Sequence, residues 1–295
     1  MAWQSGLTTS RLPDGRLLVE EGPIHLVIGI EGSPAAVRAA QQAVVQCMGG
    51  LLAALCQELP LLRAPLGDAM PALRHPVARR MAEACWPHRI GYITPMACVA
   101  GAIAEHALQA ITDQPGITLA HVNNGGDIAL YLAPRAQLRV GLCGDLADGR
   151  PDGVALIRAE DGIGGVATSG WPGRSFSRGI ADAVTVLAPR AADADAAATI
   201  IANAVDADHP AVLRSPANAL DADSDLGDIP VTVGVRNLPP PLVLLALERG
   251  ARVAERLLSR GLIRAALLRL KGQSQVVGDI PVTPLMLDNA VPPLR

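Results

Sequence analysis

The residue pair best spaced for chemistry is Asp195 and Thr199, in the segment Ala194-Asp195-Ala196-Ala197-Ala198-Thr199. Residues four apart on a helix stack on one face. A carboxylate above a hydroxyl, near a Ser/Gly-rich loop, can hold a hard cation beside a phosphate. The same pattern also describes a carboxylate that caps or decorates the first turn of an Ala-rich helix. Position and pattern leave both readings open. The surrounding stretch, Gly165 to Val205, reads as loop, turn, strand and then this helix.

A second polar knot is Asn123-Asn124-Gly125-Gly126-Asp127, between apolar runs at 119–122 and 128–131. Asn-Gly and Gly-Gly are ordinary hairpin residues. Two amides and a carboxylate around two glycines can also offer backbone N–H groups to an anion and amides to a base or ribose. A third segment, Thr94 to His106, is rich in small residues and continues as a helix to Ile111. Small side chains let another backbone or a flat ligand approach closely.

The elements around these segments alternate between strands and helices. Leu17–Glu20 and His25–Ile30 read as strands about a Glu21-Gly22-Pro23 turn. A helix starts at Ser33-Pro34 and runs toward Leu59 with a break at Gly49-Gly50. Residues 60–76 carry four prolines and read as loop. A short helix at Val77–Cys85 ends at Trp86-Pro87, and His88–Ile93 looks strand-like. Further strands are expected at 138–142 and 154–159, with turns at Asp148-Gly149 and Asp152-Gly153. Residues 206–228 hold six aspartates and read as an acidic loop, since they lack the ligand order of a calcium loop. Pro239-Pro240-Pro241 leads into a Leu/Ala/Arg helix over 242–262, then strands at 264–270 and 274–277. Residues 284–295 form a Pro-rich extended tail.

Composition narrows the functional classes. The chain has 295 residues, half of them apolar, and a formal net charge of -3. That is enough for a sizeable core in a single large domain, 1–295. With only six aromatic residues and no basic block, nothing points to nucleic acid. The five cysteines form no CxxC and fit a reduced compartment. The N-terminus lacks a signal-peptide pattern, and the apolar segment 35–58 is too interrupted to span a membrane. A soluble, cytoplasmic protein with no membrane partner is the expectation. The Leu/Ala/Arg helix and the tail suit a homodimer, and equally a monomer's outer layer.

In order, the chain carries Pro95–Glu105 (PMACVAGAIAE), Val122–Ile128 (VNNGGDI), Ala167–Gly170 (ATSG), Ala183–Pro189 (AVTVLAP) and Ala194–Thr199 (ADAAAT). This order resembles the ApbE-like superfamily, known best for FAD:protein FMN transferases, and most of all a short, functionally uncharacterised branch of it. The resemblance covers residues 77–205 well and the rest more loosely. It implies an α+β fold, T-fold-related, of antiparallel sheets with helices packed on one side. It also implies FAD bound beside Mg²⁺ and FMN transferred to a Thr or Ser of a partner flavoprotein. The implied metal ligands are Asp195 and Thr199, with a main-chain oxygen near Cys98 as a third. The implied cofactor contacts are Met96, Ala97 and Cys98, then Asn123, Asn124, Gly125, Gly126 and Asp127, and then Thr168, Ser169 and Gly170.

The chain also departs from the transferases. Pro95 stands where they carry an Asp, and Val99-Ala100-Gly101-Ala102 replaces their Ala-Lys-Gly. The segment from Trp171 to Asp182 is shorter and has no His. Arg174 or Arg178 could restore phosphate charge. Asp127 and Asp182 are the candidates for a general base. These losses keep two alternatives in view: a flavin or nucleotide binder or assembly factor that transfers nothing, and a different small-molecule enzyme on the same scaffold.

Overall fold

The computed structural model describes residues 6–143, 146, 151–279 and 282–284. The chain opens with three antiparallel strands, β1 (Thr8–Arg11), β2 (Leu17–Glu21) and β3 (Ile24–Gly32). Along β2 and the start of β3, alternate residues are buried, the period-two pattern of a sheet with one covered face. Ser33 caps α1 (Pro34–Met48), its hydroxyl accepting the Ala36 N–H at 3.3 Å, with Pro34 at the first helical position. The break at Gly49-Gly50 is real: Gly50 has φ of 79°, and the chain restarts as α2 (Leu51–Gln57). By length and composition residues 34–57 could cross a membrane. They form two helices, of which α1 buries Ala36, Ala40, Val44 and Met48.

A single helical turn, α3 (Leu59–Leu62), interrupts the proline-rich stretch where a loop is expected. It is followed by α4 (Pro76–Cys85). The strand-like reading of 88–93 is wrong. Trp86–His88 is a 3-10 turn, and the Arg89 and Gly91 amides donate back to Trp86 and His88. Pro87 fixes the φ that this turn needs, and no partner strand competes for those amides. Next come α5 (Val99–Thr112), β4 (Ile117–Asn124) and β5 (Asp127–Leu132), then β6 (Gln137–Cys143) and β7 (Pro151–Arg158). The stretch from Gly165 opens with β8 (Gly165–Ser169), where a loop is expected, before β9 (Ala183–Ala188) and α6 (Ala191–Ala204).

The acidic stretch 206–228 is not loop throughout. It contains β10 (Val212–Pro216) and a helical turn, α7 (Ala217–Leu220). Arg214 of β10 pairs with Asp206, so one of the six carboxylates serves the strand. The chain closes with β11 (Pro230–Val235), α8 (Pro240–Ser259), β12 (Ala265–Leu270), β13 (Gln273–Gly278) and β14 (Val282–Pro284). The Asp148-Gly149 turn and, beyond Pro284, the Pro-rich tail lie outside the described residues.

The described chain is mixed α and β, with neighbouring strands paired antiparallel and helices laid on them. It forms two compact units, each assembled from separated stretches. The first takes residues 1–136, 158–167 and 188–196. In it the strand order is β1-β2-β3-β4-β5-β8. Helix α5 lies on β4 and β5, and α1 packs on α5 and β3. The core between them holds Val19, Leu26, Ile28, Ala120, Val122 and Ala129, all essentially inaccessible.

The second unit takes residues 137–157, 168–187 and 197–295. Strand β12 pairs with both β9 and β13. Helix α8 covers β12 and β13. The β12–β13 hairpin turns on Lys271 and Gly272, both at positive φ, the signature of a two-residue mirror-image turn. With almost no aromatic side chains, the unit closes by bringing backbones together. A Cβ on Gly179 would lie 2.0 Å from the Ala202 carbonyl oxygen and 2.8 Å from that of Val205. Gly179→Ala therefore forces backbone atoms apart. We expect it to lower the stability of the folded chain by about 2 kcal/mol, seen as a lower urea midpoint. A midpoint equal to that of the unsubstituted protein would show that this contact is not tight.

Candidate functional site

The site in the first unit is built from the start of α5 upward. Thr94 is extended, as a residue before proline must be. Pro95–Cys98 then makes one 3-10 turn that runs into α5. The first turn of α5 presents Ala100, Gly101 and Ala102, and that absence of bulk lets α6 come very close. A Cβ on Gly101 would sit 2.5 Å from the Ala191 carbonyl oxygen and 3.0 Å from Cβ of Asp195. The start of β8 presses on the same turn of α6: a Cβ on Gly165 would be 2.3 Å from Cα of Ala191.

Through this gap the Gly101 N–H donates to Oδ2 of Asp195 at 2.9 Å. Gly101 is the third residue of α5, and its amide is one of the donors that a helix leaves without an internal partner. Asp195 therefore does cap a helix, but the helix is α5 and not its own. It is buried, with 9% of its surface exposed. Burial pushes its carboxyl well above the ordinary range, and the neighbouring charge of Asp127 pushes it the same way. The Gly101 hydrogen bond opposes both.

Asp127 opens β5 directly after the hairpin loop. The loop is two residues long, Gly125 and Gly126, both at positive φ (67° and 116°), as a mirror-image turn requires. Oδ1 of Asn123 accepts the Gly126 N–H at 2.8 Å and fixes the loop. Asn124 is buried, and its Nδ2 donates to the Ala100 carbonyl at 3.1 Å, tying the hairpin to the first turn of α5. Two expected site residues, Asn124 and Asp195, thus bond the same helix start, and the charge of a third, Asp127, acts on Asp195.

Cys98 plays a different part. Its sulfur is fully buried, 3.5 Å from that of Cys85, and donates toward the Met81 carbonyl at 3.3 Å. Burial and the Cys85 thiol push its pKa up, and the side chain packs against α4. Met96 and Ala97 are half-buried beside it.

The remaining expected residues belong to the second unit. The Thr168 hydroxyl meets that of Thr185 at 2.9 Å. Ser169 is half-buried. Gly170 lies where a Cβ would be 2.6 Å from the Asp182 carbonyl oxygen. Both carboxylate oxygens of Asp182 accept hydrogen bonds, from the Trp171 indole N–H at 3.4 Å and the Lys271 amide at 2.5 Å. Asp182 therefore joins the Thr-Ser-Gly segment to the β12–β13 hairpin. Thr199 is half-buried on α6, one turn beyond Asp195.

A buried carboxylate facing another needs a proton or a cation. The donors are hard oxygens, which suit Mg²⁺. No group of three or more His, Cys, Asp or Glu side chains able to hold a metal occurs among the described residues. Mg²⁺ is usually held by one or two carboxylates, with substrate phosphates and water completing the shell, and Asp195 is the buried carboxylate that suits this.

Asp195 also makes stability depend on pH. Its folded pKa is raised, so above the unfolded carboxylate value, about 3.9, the unfolded chain releases a proton that the folded chain keeps. Stability contributed by this group is therefore present at low pH and lost as pH rises from there through the folded value. Without divalent cations, Asp195→Asn should be destabilised less than the unsubstituted protein between pH 4 and pH 7 in urea titrations. Parallel curves would show that Asp195 ionises without strain.

Against known proteins, the family model described as AbpE bacteria matches residues 9–276. A UPF0280 protein of Methanopyrus kandleri is 41% identical over 185 residues, covering 60% of this chain and 70% of that one. A UPF0280 protein of Methanothrix thermoacetophila is 36% identical over 192 residues, covering 63% and 74%. Among solved structures, the ApbE protein of Thermotoga maritima aligns with 92% of this chain and 96% of its own at 14% identity, with a TM-score of 0.46. The flavinyl transferase ApbE of Pseudomonas stutzeri, in its apo form, aligns with 94% and 95% at 13% identity and 0.43. At those scores the likeness carries no weight beside the family match.

Proposed function

This chain belongs to the family described as AbpE bacteria, a branch of the ApbE-like superfamily, and from that premise we propose that it binds FAD together with Mg²⁺ held at Asp195. The reaction proposed is transfer of FMN from FAD to a Thr or Ser hydroxyl of a partner flavoprotein. In it the acceptor oxygen forms a bond to the FMN phosphorus, the pyrophosphate P–O bond breaks, AMP leaves with the bridging oxygen and the bond's electron pair, and the hydroxyl proton passes to water.

One observation carries this reading. Asp195 is buried, fixed by the Gly101 amide and facing the charge of Asp127, an arrangement that favours a bound cation. When bound, Mg²⁺ would neutralise pyrophosphate oxygens and stabilise the leaving phosphate. This chain's residues do the rest. Asp195 and Asp127 supply the negative oxygens, and Thr199 supplies a hydroxyl one turn further along α6. The Gly125-Gly126 loop, exposed and held in shape by the Asn123 side chain, would border the ligand. Phosphoryl-type transfer asks mainly for this kind of positioning and charge neutralisation.

A second reading, a flavin binder that transfers nothing, is favoured by Asp182. Both its carboxylate oxygens already accept hydrogen bonds, from the Trp171 indole and the Lys271 amide, which supports a structural part for it over proton transfer.

Incubation with FAD, Mg²⁺ and a candidate acceptor flavoprotein separates the two. Release of AMP supports transfer. Flavin quenching without AMP, across acceptors, leaves the binder. If flavin does not bind, both readings fall. The cation is tested separately by thermal unfolding. At 100 times its dissociation constant a bound ion adds about 2.7 kcal/mol. For a chain of this size that is a rise of several degrees, on the order of 5–10 °C. Asp195→Ala should abolish the rise. A melting temperature that Mg²⁺ does not move in the unsubstituted protein would remove the cation from the proposal.

A further inference from the structure

Helices α5 and α6 hold each other at two points, and only one involves Asp195. At the first, Gly101 of α5 donates its amide to Asp195 of α6. At the second, four residues further along α5, Glu105 reaches back: its Oε2 accepts the N–H of Ala192 at 3.3 Å. Gly101 and Glu105 lie on the same face of α5 by their spacing. Ala192 is the second residue of α6, so its amide is one that the helix cannot satisfy internally. Each helix therefore caps the first turn of the other. The Glu105 carboxylate also lies where the positive end of the α6 dipole favours it.

Glu105 is itself held. Its Oε1 lies 3.0 Å from Nε of Arg80 on α4, with both side chains about four-fifths shielded. Arg80 also donates through a terminal nitrogen to the Ala102 carbonyl of α5 at 3.4 Å. Arg80 thus ties Glu105 to the helix that carries it, and Glu105 ties that helix to the first turn of α6. Asp195 sits one turn beyond that point. The two helices are already so close at Gly101 that an added Cβ would lie 2.5 Å from the Ala191 carbonyl oxygen, so the α6 start has little room to shift toward α5.

We propose that Glu105, held by Arg80, is a positioning residue for Asp195: it fixes the first turn of α6 so that the Asp195 carboxylate meets the Gly101 amide and stays aimed at its ligand. The placement stands on hydrogen bonds in the first unit alone, and only its consequence for the cation rests on the function proposed above.

Two readouts test it, in Glu105→Ala, Glu105→Gln and Arg80→Ala. The first is hydrogen exchange of the Gly101 amide, measured by NMR without metal. Glu105→Ala should speed it about fivefold, the order expected for loss of a helix cap, while amides in the middle of α5 keep their rates. The second is Mn²⁺ affinity by titration. Outer-shell substitutions of this kind weaken metal binding about 10-fold to 100-fold, and we expect the lower figure. Glu105→Gln keeps an acceptor for Ala192 but loses the Arg80 ion pair, so it should fall between. It also covers the case in which Glu105→Ala does not fold. Unchanged Gly101 exchange in the folded variants overturns the proposal. So does a lower melting temperature with unchanged Mn²⁺ affinity, because that is a purely structural role. If the unsubstituted protein binds no Mn²⁺, the cation reading fails, and Gly101 exchange alone decides the placement of Asp195.

Discussion

Everything proposed for this protein depends on how closely α5 and α6 approach. The approach exists because Gly101 has no side chain: a methyl group there would overlap the Ala191 carbonyl. That gap lets a backbone amide reach a carboxylate that is otherwise buried. A carboxylate in such a place is expensive to ionise unless something compensates. One hydrogen bond compensates in part, and the nearby Asp127 works against it. The fold therefore places a carboxylate that is costly to ionise where backbone, hairpin loop and two helices meet, and the cation proposed for this site would offset that cost.

The same economy runs through the rest of the chain. With six aromatic residues among 295, the protein cannot rely on aromatic side chains to fill its interior. It relies on aliphatic side chains, on many alanines, and on glycines where neighbouring elements come very close. Gly165 against the Ala191 backbone in the first unit, and Gly179 against the Ala202 backbone in the second, are instances of one solution. Such contacts tolerate little displacement, because interiors are close-packed and respond to changes of a single methyl. A site assembled on them is pre-organised by its scaffold.

Much of this was legible in the sequence, and the reasons differ by element. Strands β2 to β5 and helices α1, α5 and α8 show through hydrophobic period, capping residues and glycine turns, which are local properties. Residues 88–93 mislead because a short apolar run beside a tryptophan suits a strand, whereas Pro87 and the available acceptors favour turns. Strand β8 is hidden because Gly165 and the Thr-Ser-Gly run read as loop, and its pairing with β5 is a long-range fact. The convergence of Asn124, Asp127 and Asp195 was anticipated only through motif order. No local rule places residue 195 against residue 101. Asp195 also escaped the choice between cap and ligand: it is a cap, but of another helix, a relation that spacing along one helix cannot express. Glu105 carried a usable signal, standing four residues after a glycine in a helix of small residues, but its partner Ala192 has no side-chain chemistry to announce it.

The central claim is that the Asp195 carboxylate, set by the Gly101 amide beside Asp127, is a cation ligand and not merely a helix cap. The most direct measurement is a crystal of this protein soaked with Mn²⁺ and FAD, with anomalous difference density calculated at the manganese edge. The account predicts a peak at bonding distance, roughly 2.1 Å, from an oxygen of Asp195. Strong Mn²⁺ density elsewhere in the molecule, with none at Asp195 under saturating ion, would contradict it.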